Sequence, residues 1–267
     1  MHDITRKIAQ EGELVLLYGQ DRKTFIIRLK SGSRLQSHKG ILEHNSIIGT
    51  PIGSTILTHL GYRYHLLLPS WDDLLRNIRR STQIVYPKDI GYILMKLGIR
   101  PGCTVIEAGS GSGAICTAFT GMVMPAGHVY SYDIRSDMTN LAERNLTALG
   151  LSDYVTFKTR DITHGFDEVG VDALFLDVPA PWHYLMQAHA ALRGGGFLGF
   201  ILPTTNQVST LLTALENLPF GFTEVEEIML RSYKVVPARL RPLDRMIAHT
   251  GYLIFTRALG TDESEEE

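Results

Sequence analysis

Over the first 68 residues, apolar positions come in short β-prone runs closed by glycine. ELVLLYG (Glu13 to Gly19) and TFIIRLKSG (Thr24 to Gly32) are two of them, and more follow between Gly40 and Ser70. Runs this short, ended by turn residues, predict strands. The pattern fits a small barrel or meander. From Ser70 the period changes. In SWDDLLRNI, Leu74, Leu75 and Ile78 share one face, and Ser70 and Asp73 stand at near-capping-box spacing, so a helix is expected. Pro87 holds Tyr86 out of helical conformation, which makes TQIVYPKD irregular. A second helix is expected from about Asp89 to Leu97, stopped by Gly98.

After Arg100-Pro101-Gly102 the texture alternates. TVIEAG is a strand and AICTAFTGMVM a helix. HVYSYDI is a strand, followed by the helix SDMTNLAERNLTAL with Gly150 as its stop. YVTFKTRD and VDALFLDVP are strands. PWHYLMQAHAAL is helical, RGGG breaks it, and FLGFILP is a buried strand before the helix NQVSTLLTALENL. Two long β-prone runs, FTEVEEIMLRSYKVV and IAHTGYLIFTRAL, close the series without a helix between them. That predicts an α/β fold: a mostly parallel, Rossmann-like seven-stranded sheet ending in an antiparallel pair. The expected divisions are a β-rich domain over 1–68, a main domain over 69–260 and a disordered acidic tail over 261–267.

Composition changes little in this picture. The chain has 267 residues, 44% hydrophobic and 20% charged. No apolar run reaches the ~18 residues that span a membrane. The N-terminus has no apolar stretch of signal-peptide type. Cys103 and Cys116 are the two cysteines, without metal-ligand spacing, so neither a disulfide framework nor a metal site is expected and a cytoplasmic setting is the default. Charge changes more. The net value is −2, but the last seven residues, TDESEEE, hold five acids. The other 260 residues carry 26 Lys and Arg against 23 Asp and Glu, a mild net +3 that is compatible with RNA. RNIRR (Arg76 to Arg80) is equally well a solvated helix face.

The candidate chemistry gathers at strand ends. VIEAGSGSGAIC (Val105 to Cys116) places Gly109, Gly111 and Gly113 between a strand and a helix N-terminus, where backbone N–H groups can meet a carboxylate or pyrophosphate. The stretch satisfies the dinucleotide pattern G-x-G-x-x-A, which keeps an NAD(P) oxidoreductase open, and equally E-x-G-x-G-x-G from Glu107. Asp133 at the end of the second strand suits ribose hydroxyls. Asp161 at the end of the third suits an adenine amine, or caps a turn. On the fourth strand LDVPAPW leads to Asp177, with Pro179 and Pro181 to stiffen the exit. Trp182 offers either a stacking surface or a core indole. An acid with a stacking face is equipment for a planar base bearing an amine.

These stretches together resemble the tRNA adenine N1-methyltransferases that modify position 58 of the T-loop. The likeness runs from HKGILEHNSIIG (His38 to Gly49) and TQIVYPKD (Thr82 to Asp89) through VIEAGSGSG, YSYDIR and LDVPAPW to RP and AHTGYL near the end. The resemblance implies a class I methyltransferase using S-adenosylmethionine. Gly109, Gly111 and Gly113 would line its methionine part with Gln83 close by, Asp133 its ribose and Asp161 its adenine. Glu107, Ser110, Ser112, Ile134 and Asp177 fall among the cofactor positions. Asp177 would also be the catalytic group facing the target adenine, with Tyr86, Trp182 and His249 on the tRNA substrate. A homotetramer is implied, and methylation of adenine 57 besides 58 stays open. A non-catalytic RNA-binding subunit is the remaining alternative, against which the intact glycine loop and acids argue. The family often has Glu where this chain has Asp133, Gly where it has Ala248, and Trp where it has Tyr233.

Overall fold

A computed structural model describes residues 7–81, 83–246 and 248–260. Thr82 and the tail at 261–267, for which disorder is expected, lie outside the described residues. The chain divides into two compact units between Asn77 and Ile78. The sequence-based boundary at 68/69 falls before the short helix that ends the first unit.

The first unit contains β1 (Leu14–Gly19), β2 (Thr24–Arg28), β3 (Arg34–Ser37), β4 (Gly40–Glu43), β5 (Thr55–Leu57), β6 (Arg63–Leu67) and α1 (Trp71–Asn77). Four strands form an antiparallel sheet in the order β2-β1-β6-β5, and β3 pairs with β4 as a hairpin. Val15, Leu17, Leu42, Ile47, Tyr64 and Leu66 form its core. The capping box at α1 is real. The Asp73 N–H donates to Ser70 Oγ at 3.1 Å, and the Ser70 N–H donates to Asp73 Oδ2 at 2.9 Å.

The second unit begins with α2 (Pro87–Lys96), β7 (Thr104–Ala108), α3 (Ala114–Val123), β8 (His128–Asp133), α4 (Ser136–Leu149) and β9 (Val155–Thr159). It continues with β10 (Val171–Leu176), α5 (Leu185–Ala191), β11 (Leu192–Leu202), α6 (Thr205–Leu215), β12 (Phe220–Glu226), β13 (Tyr233–Lys234), β14 (Arg241–Pro242) and β15 (Tyr252–Ala258). The expected seven-stranded sheet is present, in the order β9-β8-β7-β10-β11-β15-β12. Strands β7 to β11 pair in parallel, and β15 lies antiparallel between β11 and β12. The central strand β10 is apolar and buried from Ala173 to Leu176, as a strand covered on both faces must be. Helix α4 buries Met138, Ala142 and Leu146 on one stripe and ends on Gly150 in the left-handed region.

The chain leaves β7 toward β8 on one side and reaches β10 on the other. This reversal opens a crevice beyond the carboxyl ends of β7 and β10.

Several local expectations are corrected. Helix α2 starts at Pro87, two residues early, because proline at the first helical position gives up no hydrogen bond. PWHYLMQAHAAL opens with a 3-10 turn, Pro181–Tyr184, before α5. RGGG does not separate α5 from a strand. It lies inside β11, where the register with β10 shifts and the extra residues bulge. The long run after Phe220 ends as a sheet strand at Glu226, and β15 starts only at Tyr252. Between them the chain leaves the sheet, and its strand pairing among the described residues is the small β13-β14 ladder. Apolar content alone could not reveal this, since Met229, Leu230, Val235 and Leu240 are exposed here.

Candidate functional site

The strand ends converge on a cavity of about 380 Å³. Its walls include Gly109 after β7, Asp133 and Ile134 after β8, Asp161 after β9 and Asp177 after β10. Four separate strands therefore bring five of the sequence candidates to one place. A second cavity, of about 400 Å³, lies between the Thr163–Val169 segment and α5. Its one carboxylate, Glu168, is already bonded to Tyr132 and Lys158.

The glycine loop is built differently from its sequence reading. At Gly109 a Cβ would stand 2.2 Å from the carbonyl oxygen of Asp177, and φ is +99°. The glycine is there because two strand ends meet. The Asp177 N–H donates to the Ala108 carbonyl at 2.9 Å across the same contact. At Gly113 a Cβ would press on Ala142 and Leu146 of α4, each at 3.0 Å. Gly111 alone is uncrowded, its nearest neighbour in that direction being the Gly109 carbonyl at an ordinary contact distance of 3.8 Å. Two of the three glycines serve the packing of the fold, and the third is not required by a close neighbour.

Beneath the loop, Glu107 is buried and does not line the cavity. Its Oε2 accepts a hydrogen bond from Ser131 Oγ at 2.6 Å, and Ser131 Oγ lies 2.7 Å from Ser110 Oγ. This buried relay braces the loop from behind. Burial is the main cause that pushes the Glu107 carboxyl up to about 8, opposed by the bond from Ser131. The folded pKa lies above the ordinary 4.5, so the stability that protonation supplies is full below 4.5 and fades as pH rises through about 8. Glu107→Gln is expected to remove this dependence. Denaturant titrations between about pH 6.5 and 9, above the range in which Asp177 titrates, would show the wild type weakening and the variant nearly flat.

Asp133 is well tied. Its Oδ2 accepts the Gly111 N–H at 3.1 Å and its Oδ1 the Arg135 N–H at 3.0 Å. A carboxylate offers about four acceptor sites, so room for two hydroxyl donors is left. Asp161 takes the turn-capping role the sequence allowed and also reaches the cavity. It accepts the Thr163 N–H at 2.9 Å as cap of a 3-10 turn, which holds its carboxyl below the usual range, and it lines the cavity.

Asp177 is the unusual group. The residue is exposed and lines the cavity. Poor hydration first, and the charge of Asp133 second, push its pKa to about 6. Among the described residues its side-chain oxygens accept no hydrogen bond. A half-desolvated carboxylate with free acceptors is poised for a donor brought by a ligand.

The remaining candidates fall elsewhere. Gln83 is exposed, its amide 3.5 Å from the Ile84 carbonyl. Ser110 and Ser112 are buried, and Ser112 Oγ has no hydrogen-bond partner. Tyr86 is half-buried, and its carbonyl accepts the N–H groups of Asp89 and Ile90 as α2 begins. Trp182 packs against the core beside the sheet and bonds His183, which favours its reading as a core indole. His249 is held at both ring nitrogens, by Glu227 at 2.7 Å and the Pro203 carbonyl at 3.1 Å. Sequence reasoning missed Tyr184, Arg135 and Arg160 as cavity walls. Arg135 stands two residues after Asp133 and Arg160 directly before Asp161, a signal that was legible.

Comparison with known proteins agrees with this geometry. Residues 64–246 match the family described as tRNA methyltransferase complex GCD14 subunit, and residues 9–56 match TrmI-like N-terminal. The tRNA (adenine(57)-N(1)/adenine(58)-N(1))-methyltransferase TrmI of Methanocaldococcus jannaschii is 30% identical, over 91% of this chain and 94% of its own. The crystal structure of tRNA (m1A58) methyltransferase TrmI from Aquifex aeolicus is 37% identical, covers 96% of this chain and 100% of its own, and superposes with a TM-score of 0.79. A crystal structure from Thermotoga maritima, titled a SAM-dependent O-methyltransferase, is 43% identical with a TM-score of 0.88, covering 98% of this chain and 100% of that one.

Proposed function

The chain belongs to the TrmI and GCD14 family of tRNA methyltransferases, and from that premise we propose that it methylates N1 of adenine 58 in the tRNA T-loop. The observation that carries the chemistry is the Asp177 carboxylate, which lines the cavity at the switch point and has no hydrogen-bond partner among the described residues.

The cavity residues fit S-adenosylmethionine. Asp133 keeps acceptor sites for ribose hydroxyls, Asp161 is an ionised acceptor for an adenine amine, and Gly111, whose N–H bonds Asp133, is uncrowded. When bound, the cofactor supplies a methyl group on a positively charged sulfonium. Glu107, Ser110, Ser112 and Gly113 then support the loop from within rather than touching the ligand. This reading favours the methyl donor over the NAD(P) alternative.

Adenine N1 carries a free lone pair at neutral pH, so the protein needs no base to prepare it. Its work is mainly to position the base. Ionised Asp177 accepts from the N6 amine and stabilises the positive charge that grows on the ring as N1 is alkylated. It can then take the N6 proton. The target base lies inside folded tRNA and has to be turned out, and Tyr86 is a wall for it.

Purified chain, tRNA and labelled S-adenosylmethionine test the proposal. The expected product is 1-methyladenosine at position 58, located by nucleoside mapping. A methyl group found on an oxygen instead of N1 would support the O-methyl transfer named for the Thermotoga maritima relative. A label at 57 as well would match the dual name of the archaeal relative. Methyl transfer by this chain alone excludes a non-catalytic role. Binding of tRNA should weaken by orders of magnitude as salt rises, because phosphate contacts release counterions. Salt-independent binding would count against RNA as the partner. Homotetramer assembly and a cytoplasmic setting belong to the same proposal. Both rest on the likeness to the archaeal and bacterial relatives.

A further inference from the structure

Two sequence stretches with no shared chemistry, YPKD and HTG, meet in space. Lys88 and Asp89 open α2 with side chains only 8% and 1% exposed. Lys88 Nζ donates to Asp89 Oδ1 at 2.7 Å, to the Ile228 carbonyl at 2.7 Å and to Thr250 Oγ1 at 2.5 Å. The Thr250 hydroxyl in turn donates to Asp89 Oδ2 at 2.7 Å. All three ammonium protons and both carboxylate oxygens are thus used. A buried ion pair that is so fully bonded fixes geometry more than it adds stability.

What it fixes is the excursion between β12 and β15. The chain leaves the sheet after Glu226 and returns at Tyr252. Lys88 grips its outgoing end at Ile228 and, with Asp89, its returning end at Thr250. The pair Glu227–His249, one residue earlier in the chain on each side, closes the same base. Further down α2, Tyr92 Oη donates to Glu226 Oε1 at 2.8 Å, and Lys96 pairs with Glu224 and Glu226. One face of α2 therefore runs along the departure of the arm. Between Met229 and Met246 the arm carries five cations, Arg231, Lys234, Arg239, Arg241 and Arg245, against one acid, Asp244.

The strand order says on which side of the site this lies. Asp161, Asp133 and Gly109 end β9, β8 and β7, and Asp177 ends β10. The base of the arm belongs to β11, β15 and β12, on the far side of Asp177, and His249 contacts Pro203 just past β11. The cofactor candidates lie on one side and the cationic arm on the other.

We propose that Lys88, Asp89 and Thr250 are positioning residues that hold the arm on the acceptor side of Asp177, and so serve recognition of the polyanionic acceptor rather than binding of the methyl donor. This rests on the tRNA reading above. The test uses Thr250→Val, which keeps the volume and removes the hydroxyl, and Thr250→Ser, which keeps the hydroxyl. Losing a hydrogen bond to a buried charged group should lower kcat/KM for tRNA about tenfold, mostly through KM, and speed tryptic cleavage at Arg231, Lys234 and Arg239 about tenfold. S-adenosylhomocysteine affinity should stay within about twofold, and Thr250→Ser should restore both losses. Asp89→Asn should act in the same direction as Thr250→Val, which serves if that variant folds poorly. Unchanged kcat/KM with unchanged cleavage, a parallel loss of S-adenosylhomocysteine binding, or failure of serine to rescue would each overturn the proposal. If wild-type chain does not methylate tRNA, the functional reading fails. The cleavage comparison then still decides whether the clamp holds the arm.

Discussion

Asp177→Ala is expected to lower kcat for tRNA methylation by about 10²- to 10³-fold, the usual loss when an electrostatic partner of the transition state is removed. Folding should survive. The carboxylate accepts no hydrogen bond among the described residues, and its removal relieves repulsion with Asp133. The melting temperature should therefore hold or rise. S-adenosylhomocysteine should still bind, because Asp133 and Asp161 remain. Wild-type turnover carries its own signature of this group. The free carboxyl titrates at about 6, and only its ionised form can accept from an amine. Below that pH, kcat/KM should fall about tenfold per unit, a limb that Asp177→Ala should lack. Stability follows the opposite sign. The folded pKa lies above the ordinary 3.8, so the contribution of the protonated form is complete below 3.8 and is lost as pH rises through about 6. Activity and stability should thus move in opposite directions between pH 4 and 6. An Asp177→Ala enzyme that methylates tRNA at close to the wild-type rate would remove Asp177 from the mechanism.

Gly109→Ala is expected to damage the fold itself. The new Cβ would lie 2.2 Å from a backbone oxygen that cannot rotate away, at a φ of +99°. Strain of this kind together with overpacking costs at least about 3 kcal/mol. In a domain of this size that is roughly a 10 °C drop in melting temperature. Asp177 would move with its carbonyl, so turnover should be lost even in the fraction that folds. Gly111→Ala is the contrast. Its φ of +50° costs an alanine about 1 kcal/mol, and the methyl group would meet nothing closer than an ordinary contact distance. Its melting temperature should change by only a few degrees, while S-adenosylhomocysteine affinity falls. Calorimetry on the two variants separates a glycine required by packing from one required by a ligand. Equal melting temperatures would show that the β7 and β10 ends can spread apart without cost.

The pattern of apolar runs was sufficient for the seven strands, their alternation with helices and the late antiparallel pair. Those features depend on short-range periodicity and on turn residues, which a sequence displays directly. The acids at 133, 161 and 177 were legible for the same reason, each standing at the end of an apolar run. The resemblance added the family. What the sequence could not separate was the cause of each small or polar residue. Gly109, Gly111 and Gly113 look alike in the chain. One answers to the neighbouring strand, one to α4 and one to no close neighbour, which depends on what lies across the contact. Glu107 reads as part of a ligand loop, yet it sits behind that loop, since a strand sends alternate side chains to opposite faces. Apolar residues after Glu226 read as a continuing strand, but the sheet had no place for them once β15 had entered between β11 and β12. The meeting of Lys88 and Asp89 with Thr250, over 160 positions apart, is the clearest case. Local pattern determines elements, and only the order in which the sheet assembles them decides which distant charges become neighbours.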